Sequence, residues 1–496
     1  MPKKKRQRRQ KQMKLNKLLS AAAAIAAALS SLAAFPAGAE GLQGPDDVLS
    51  DGAFIYDLVD GCYTIKRCTA SIVTEIPAVR NGVTINAIGD NAFANCSAIS
   101  KLDIPDSVKT IGDNAFVGCT SLSEVILPER LEHLGEHAFM GCSMLETITL
   151  PETLTEIPAY AFNMCDHLKS IDIPDTVTSI GDGAFYECTS LETFHIPASL
   201  EKIGTLAFNE WYSIKDIDAS ANNSYVVEDG MLMDKKKAVI YRGLASIEGD
   251  LYIPDTVTTI KSGAFSGCLG ISNLFVSDKT TVIDDYAFAY CHNIKKADLP
   301  QGLSSIGEWA FAFDEGLTTI EIPTTVSSIG SLAFANCINA DKVLIPEGVG
   351  TIGEKAFIGC DALKSVNVPK SVTSVGEQAF GKTYDSEGNV IDLEGFTMSV
   401  FGGSAAHKYA KKAKVKYDVV GRDLSSIIFI IVVIALIIGV IAAAAVLMIK
   451  SRKSADRGAK KAKKKAEEKA AEENYEKIVE TDKKKDKKKD KKKDKK

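Results

Sequence analysis

The sequence predicts a β-dominated α/β repeat: a solenoid of about twelve 23-residue coils with terminal caps, plus one transmembrane helix. Three observations carry this prediction. A phrase built on Ala-Phe returns at a constant interval, a short alternating segment ending in Pro accompanies it, and residues 427–449 carry no charge.

The repeat decides the fold. Ile111-Gly112-Asp113-Asn114-Ala115-Phe116-Val117-Gly118-Cys119 returns as Leu134-Gly135-Glu136-His137-Ala138-Phe139-Met140-Gly141-Cys142. With Phe as the structural marker, the copies stand at Phe93, Phe116, Phe139, Phe162, Phe185 and Phe208. They resume at Phe265, Phe288, Phe311, Phe334, Phe357 and Phe380. The same 23-residue step separates all neighbours except Phe208 and Phe265, which stand further apart by a 34-residue excess. In each unit a segment such as Leu122-Ser123-Glu124-Val125-Ile126-Leu127-Pro128 alternates apolar with variable positions, the pattern of a half-buried strand. The closing Pro cannot donate a ladder hydrogen bond, so it ends the strand and turns a corner. A second short strand, as in Val177-Thr178-Ser179-Ile180, leads to the Gly and the Ala-Phe turn. One unit encloses no core, but stacked units pile equivalent apolar positions into continuous columns.

This pattern, SLxxIxIPxxVxxIGxxAFxxC, resembles the BspA-type leucine-rich repeats of bacterial surface proteins, over about residues 60–419. The resemblance implies a leucine-rich-repeat solenoid over residues 93–380. It also implies an N-terminal cap within residues 40–92 (Gly61-Cys62-Tyr63-Thr64-Ile65). A helical C-terminal cap is implied within residues 381–424 (Ser404-Ala405-Ala406-His407-Lys408-Tyr409-Ala410). Caps are needed because an uncovered solenoid leaves apolar ends. The long step reads as a 34-residue insertion at about residues 219–250. Ser224–Met233 should form a hairpin turning at Asp229-Gly230, with Ala238-Val239-Ile240-Tyr241 as a third strand, as a lateral excursion from the solenoid.

Charge separates the remaining segments. Of 59 basic and 64 acidic side chains, residues 1–39 hold nine and none, and residues 450–496 hold 22 and 11. The stretch between keeps 28 basic and 53 acidic residues, a net charge of −25 that repels phosphate and excludes nucleic acid as its partner. The basic N-terminus, the Ala-rich run after it and Ala37-Gly38-Ala39 read as a cleaved signal peptide, residues 1–39. The uncharged run is long enough to span a bilayer as a transmembrane helix at residues 425–449. Lys450, Arg452 and Lys453 follow it, which places the Lys-rich tail, 450–496, in the cytoplasm. Residues 459–480 suit a helix; residues 483–496, Lys-Lys-Lys-Asp repetition, are expected to be disordered.

Nine cysteines stand three residues after a marker Phe (Cys96, Cys119, Cys142, Cys165, Cys188, Cys268, Cys291, Cys337 and Cys360); Trp211, Asp314 and Thr383 take the slot elsewhere. A slot that recurs on one face reads as a column of buried thiols, with disulfides between neighbouring coils as the alternative. Cys62 and Cys68 in the cap could pair if the chain turns between them. His133-Leu134-Gly135-Glu136-His137 matches H-x-x-E-H, but a zinc peptidase needs both imidazoles on one helix, and Leu134-Gly135 fills a strand-to-turn slot. Asp385-Ser386-Glu387-Gly388-Asn389 hints at a calcium loop, yet Val390 and Phe396 stand where an EF-hand needs Gly and Glu. No catalytic residue, metal or cofactor is expected.

Binding in a solenoid falls on the variable outward positions of one face. On that face Ile126, Phe275 and Leu344 would expose apolar surface, and Asp172, His195 and Asp218 would form a polar cluster. These six are the candidate binding residues. The reading is a membrane-anchored surface protein that recognises an extracellular protein or cell-surface ligand. The resemblance adds adhesion to host matrix or to other cells. A structural envelope spacer without a specific ligand is the alternative.

Overall fold

The computed structural model describes residues 49–422 and 424–490, and the chain divides into two compact units after Arg422. The expected signal segment, residues 1–39, lies outside the described residues.

In the first unit each coil has three walls. The strand before the Gly forms one parallel row: Ile260, Ile283, Ile306, Ile329, Ile352 and Val375 pair in succession, each with its counterpart one coil on. The strand before the Pro forms a second wall, as where Lys101–Asp103 pairs with Glu124–Ile126 and Thr319–Glu321 with Lys342–Leu344. The Ala-Phe turn makes the third wall with bonds between coils: Phe93 N donates to Ala115 O at 2.7 Å, and Phe116 N to Ala138 O at 2.8 Å. The coils stack so closely at the Ile-Gly slot that a Cβ on Gly135 would lie 2.4 Å from Asp113 N. Glycine is required there by proximity rather than by its dihedral freedom.

The interior is a ladder of aromatic rings. All twelve marker phenylalanines are at most 3% exposed. Phe116 and Phe139 stack at 5.1 Å, Phe265 and Phe288 at 5.1 Å, and Phe334 and Phe357 at 5.4 Å, with planes within 6° of parallel. Each ring buried this way contributes roughly 1.5–3 kcal/mol.

The long step hides a further coil. Counting one repeat back from Phe265 reaches Arg242, and Tyr252 and Pro254 stand ten and twelve after it, as Asp103 and Pro105 do after Phe93. Tyr252 pairs with Phe275 at that same step in the second wall. This coil adds to the twelve marked by Phe, and the extra length, from Phe208 to Arg242, is eleven residues beyond one repeat instead of 34. The hairpin Tyr225–Glu228 with Met231–Asp234 forms around Asp229 and Gly230, both at positive φ. It does not branch sideways. Val239–Gly243 returns antiparallel to Met231–Asp234 and then pairs in parallel with Thr259–Ile260, so the hairpin begins the second block's wall.

That insertion divides the core. Leu232 packs into the first hydrophobic cluster, while its neighbours Met231 and Met233 pack into the second, as alternation along a strand dictates. The ring ladder is interrupted around it: the first block's stack ends at Phe185, which meets Trp211 edge-on, and the second starts only at Phe265, because Gly243 lies against that ring and leaves no side chain to stack. Arg242 is fully buried. Its Nη2 donates to Trp211 O at 2.7 Å, and its Nη1 to Gly263 O at 2.9 Å and Ser266 O at 3.1 Å. One guanidinium thus ties the last coil of the first block to the first of the second.

Both ends are covered. At the N-terminus, Phe54–Val59 and Cys62–Cys68 pair antiparallel, and Val83–Ile88 joins them in parallel. At the C-terminus, helix α1 (Ala405–Ala413) starts at Ser404, whose side chain accepts from His407 N. Its Tyr409 hydroxyl donates to Phe380 O at 2.8 Å and accepts from Phe380 N at 2.9 Å. One side chain so replaces the backbone acceptor and the thiol donor that another coil would bring to a marker Phe.

The second unit is a single helix, α2 (Leu424–Asp490). Its apolar part is exposed from Ile430 to Ile449, and it is long and apolar enough to cross a membrane. The helix also corrects the tail. Residues 483–490 continue it instead of being disordered, since Lys favours helix and no Pro or Gly interrupts. Residues 491–496 lie outside the described residues.

Candidate functional site

The second wall turns two rows of side chains outward, one residue of each row from every coil, with neighbours about one strand spacing apart. In the first block this face carries ion pairs between successive coils. Lys101 meets Glu124 at 2.5 Å, Lys169 meets Glu146 at 3.2 Å, and Lys215 meets Glu192 at 2.8 Å. All are exposed, so each adds little stability and leaves a solvated surface. Ile126 stands alone in this stretch, 54% exposed, between Asp103 and Thr149 of the same row. His195 and Asp218 pair in register, with Nδ1 3.4 Å from Oδ2. The Ser220 N–H donates to Asp218 at 2.9 Å and holds its carboxyl below the usual range, with His195 adding a smaller attraction. Asp172 bridges Thr149 through its backbone and makes no ion pair, so the expected trio is a pair and a bystander.

The second block differs. The Tyr252 ring, 63% exposed, stacks on Phe275 at 4.8 Å and 9°. Lys296 Nζ lies 5.7 Å from the Phe275 ring and 2.6 Å from Asp298. Beyond Asp298 a groove of about 430 Å³ opens, lined by Asp298, Glu321, Leu344 and Asn367 with Pro323 and Pro346 at its side. Leu344 is 39% exposed at that groove. One row therefore reads Tyr252, Phe275, Asp298, Glu321, Leu344, Asn367. Sequence reasoning missed Tyr252 because its coil lacks the marker Phe: counting back reaches Arg242, and Gly243 takes the place against Phe265. Pro254 was the signal that could have found it.

The cysteine column faces inward. Cys119 Sγ donates to Phe93 O at 3.1 Å, Cys142 to Phe116 O at 3.3 Å, and Cys291 to Phe265 O at 3.0 Å. Burial pushes the Cys142, Cys165, Cys291 and Cys337 thiols well up, which makes them poor nucleophiles. Trp211 does the same work, with Nε1 donating to Phe185 O at 2.9 Å. Asp314 is fully buried in the slot, and that burial drives its carboxyl well above the usual range. Cys62 and Cys68 end opposite sides of one extended strand, roughly 20 Å apart, too far for a bond. His133 lies in a strand and His137 stacks on Tyr160 at 5.0 Å, so they share no helix. Asp385 accepts from Glu387 N at 2.8 Å and Asn389 N at 2.9 Å, which makes its loop a self-bonded turn.

The comparisons agree with this architecture. The model of the BspA type leucine rich repeat region matches residues 81–226 and 242–347, in six copies. A leucine rich cell surface protein from Faecalibacterium prausnitzii superimposes with a TM-score of 0.56 at 29% identity, covering 68% of this chain and 96% of its own. The pneumococcal vaccine antigen PcpA shares the fold with a TM-score of 0.54 at 20% identity, covering 75% of this chain and 98% of its own. No curated protein sequence matches. With its walls, ring ladder and repeat motif in hand, the chain belongs to the BspA-type leucine-rich repeat family.

Proposed function

We propose that this chain is a membrane-anchored surface protein whose second-block face recognises another protein. The observation that carries the reading is the groove at Asp298, Glu321 and Leu344, beside the exposed Tyr252–Phe275 stack. Aromatic and apolar side chains held rigid on a sheet supply binding area at low entropic cost, and the two carboxylates select cationic neighbours. The fitting partner is a protein segment with Lys or Arg beside an apolar anchor. Helix α2 supplies a membrane anchor, the basic residues after Ile449 favour the tail inside, and the repeats then face outward. Membership in this repeat family supports a role in adhesion to host matrix or to neighbouring cells.

The test uses bacteria carrying the full chain. External protease should remove the repeats from intact cells while the Lys-rich tail stays protected. Surface crosslinking followed by mass spectrometry should capture a partner with the native chain and lose it with Leu344→Asp or Tyr252→Asp, each checked for native circular dichroism. Unchanged capture by both variants overturns the groove as the binding site, and an externally cleaved tail overturns the orientation.

A further inference from the structure

From Cys119 onward, each cysteine of the column that follows an unbroken repeat donates to the carbonyl of the marker Phe one coil back, as Cys119 does to Phe93 O and Cys337 to Phe311 O at 3.2 Å. The same offset from Cys96 reaches Ala70. That carbonyl already has a thiol on it: Cys68 Sγ lies 3.6 Å from Ala70 O. The Cys96 thiol makes no such bond to a carbonyl and interacts with the Cys68 thiol. The backbones are drawn together as well, since Cys68 N donates to Ala92 O at 2.7 Å. Cys68 packs in the first core cluster and Cys96 rests against it, only partly buried. The column cysteines from Cys119 to Cys360 are all buried.

We propose that Cys68 and Cys96 are an oxidisable pair, closing to a disulfide that staples the N-terminal cap to the first coil. The chemistry follows from the asymmetry of the two thiols. The interaction with Cys96 brings Cys68 down to about 7, so its thiolate is plentiful near neutral pH and is the attacking group. It attacks one sulfur of a small disulfide such as oxidised glutathione, forming a mixed disulfide and releasing one glutathione thiolate. Cys96 then loses its proton and attacks the Cys68 sulfur, expelling the second glutathione. Two protein thiols give up two protons and two electrons, and one glutathione disulfide becomes two thiols. The bond would join a cap strand to the coil stacked on it, so its expected effect is on the fraying end of the solenoid.

The experiment treats the full chain in detergent with oxidised glutathione at neutral pH, alkylates remaining thiols, and maps the peptides without reduction. The expected product is a Cys68–Cys96 linked peptide two hydrogens lighter than its reduced parts, with the column cysteines alkylated only after denaturation. Thermal unfolding of the oxidised chain should begin a few degrees higher and return to the reduced value with dithiothreitol. Cys62→Ser should retain the linkage and Cys96→Ser should stop at the Cys68 mixed disulfide. A native chain that carries stable glutathione on Cys68, that links Cys62, or that leaves both thiols free overturns the pairing. Because Cys62→Ser touches neither sulfur, loss of linkage in that variant also counts against it.

Discussion

The two blocks of coils share an interior and differ in their faces. Phe93 to Phe185 and Phe265 to Phe380 stack in the same way, and the Gly-slot strands pair at the same 23-residue step. Outside, the first block shows Lys–Glu pairs between coils, and the second shows a stacked aromatic pair and a groove. Interior positions must fit the coil above and below, so they tolerate little variation; outward positions meet solvent and are free to specialise. The comparison also locates the join. Arg242 stands where the ring ladder breaks, and its bonds to Trp211, Gly263 and Ser266 carry continuity that ring stacking carries elsewhere.

The largest expected effects fall on the shared interior. Phe139→Ala and Phe311→Ala should each cost about 3–5 kcal/mol, and hydrogen exchange should place the loss mainly in the block that holds the substitution. Equal loss in both blocks would mean that they unfold as one. Arg242→Ala strikes the join. It leaves buried carbonyls without their donor, costs about 3 kcal/mol, and should split a single urea transition into two. A single transition at lower urea would show that the hairpin alone couples the blocks.

Asp314 distinguishes the second block's cysteine slot from the first's. Its folded-state pKa is raised by burial, so the folded chain holds this proton more tightly than the unfolded chain does. Stability from this group is fully present below the ordinary carboxylate range and falls as pH rises through the raised value. Asp314→Cys should therefore stabilise the second block by about 1–3 kcal/mol at neutral pH and give almost no gain near pH 3, read from urea midpoints at the two pH values. A gain that does not change with pH would assign the effect to packing. The smallest effect belongs to the exposed ladder: Lys215→Ala should change stability by less than about 0.5 kcal/mol, and salt should erase the difference. A larger loss would make the first block's face part of its framework.

The repeat was legible because a constant step leaves little freedom. Once Phe116, Phe139 and Phe162 are seen at one interval, a stack with a common interior follows, and Ile-Gly, Pro and Cys fall into place around it. The candidate site was legible only in part. Phe275 and Leu344 stood out as apolar residues in outward slots, whereas Tyr252 did not, because its coil lacks the Phe that marks the others. A polar letter counted at a core slot reads as the end of a repeat, and only the surrounding carbonyls show that Nη1 and Nη2 of Arg242 find acceptors there.

What the order of residues determined alone was everything that depends on periodicity: the stacking of turns in two blocks, the inward and outward positions, and one uncharged run long enough to cross a bilayer. Tertiary structure decided what depends on where an irregular segment brings distant atoms. The hairpin became part of a wall, Asp172 stood apart from His195 and Asp218, and Cys68 was bonded to the coil that carries Cys96 while Cys62 lay at the far end of its strand. Periodic contacts recur at one sequence separation and can be counted, whereas a contact made across an irregular step has a separation that only the folded chain sets.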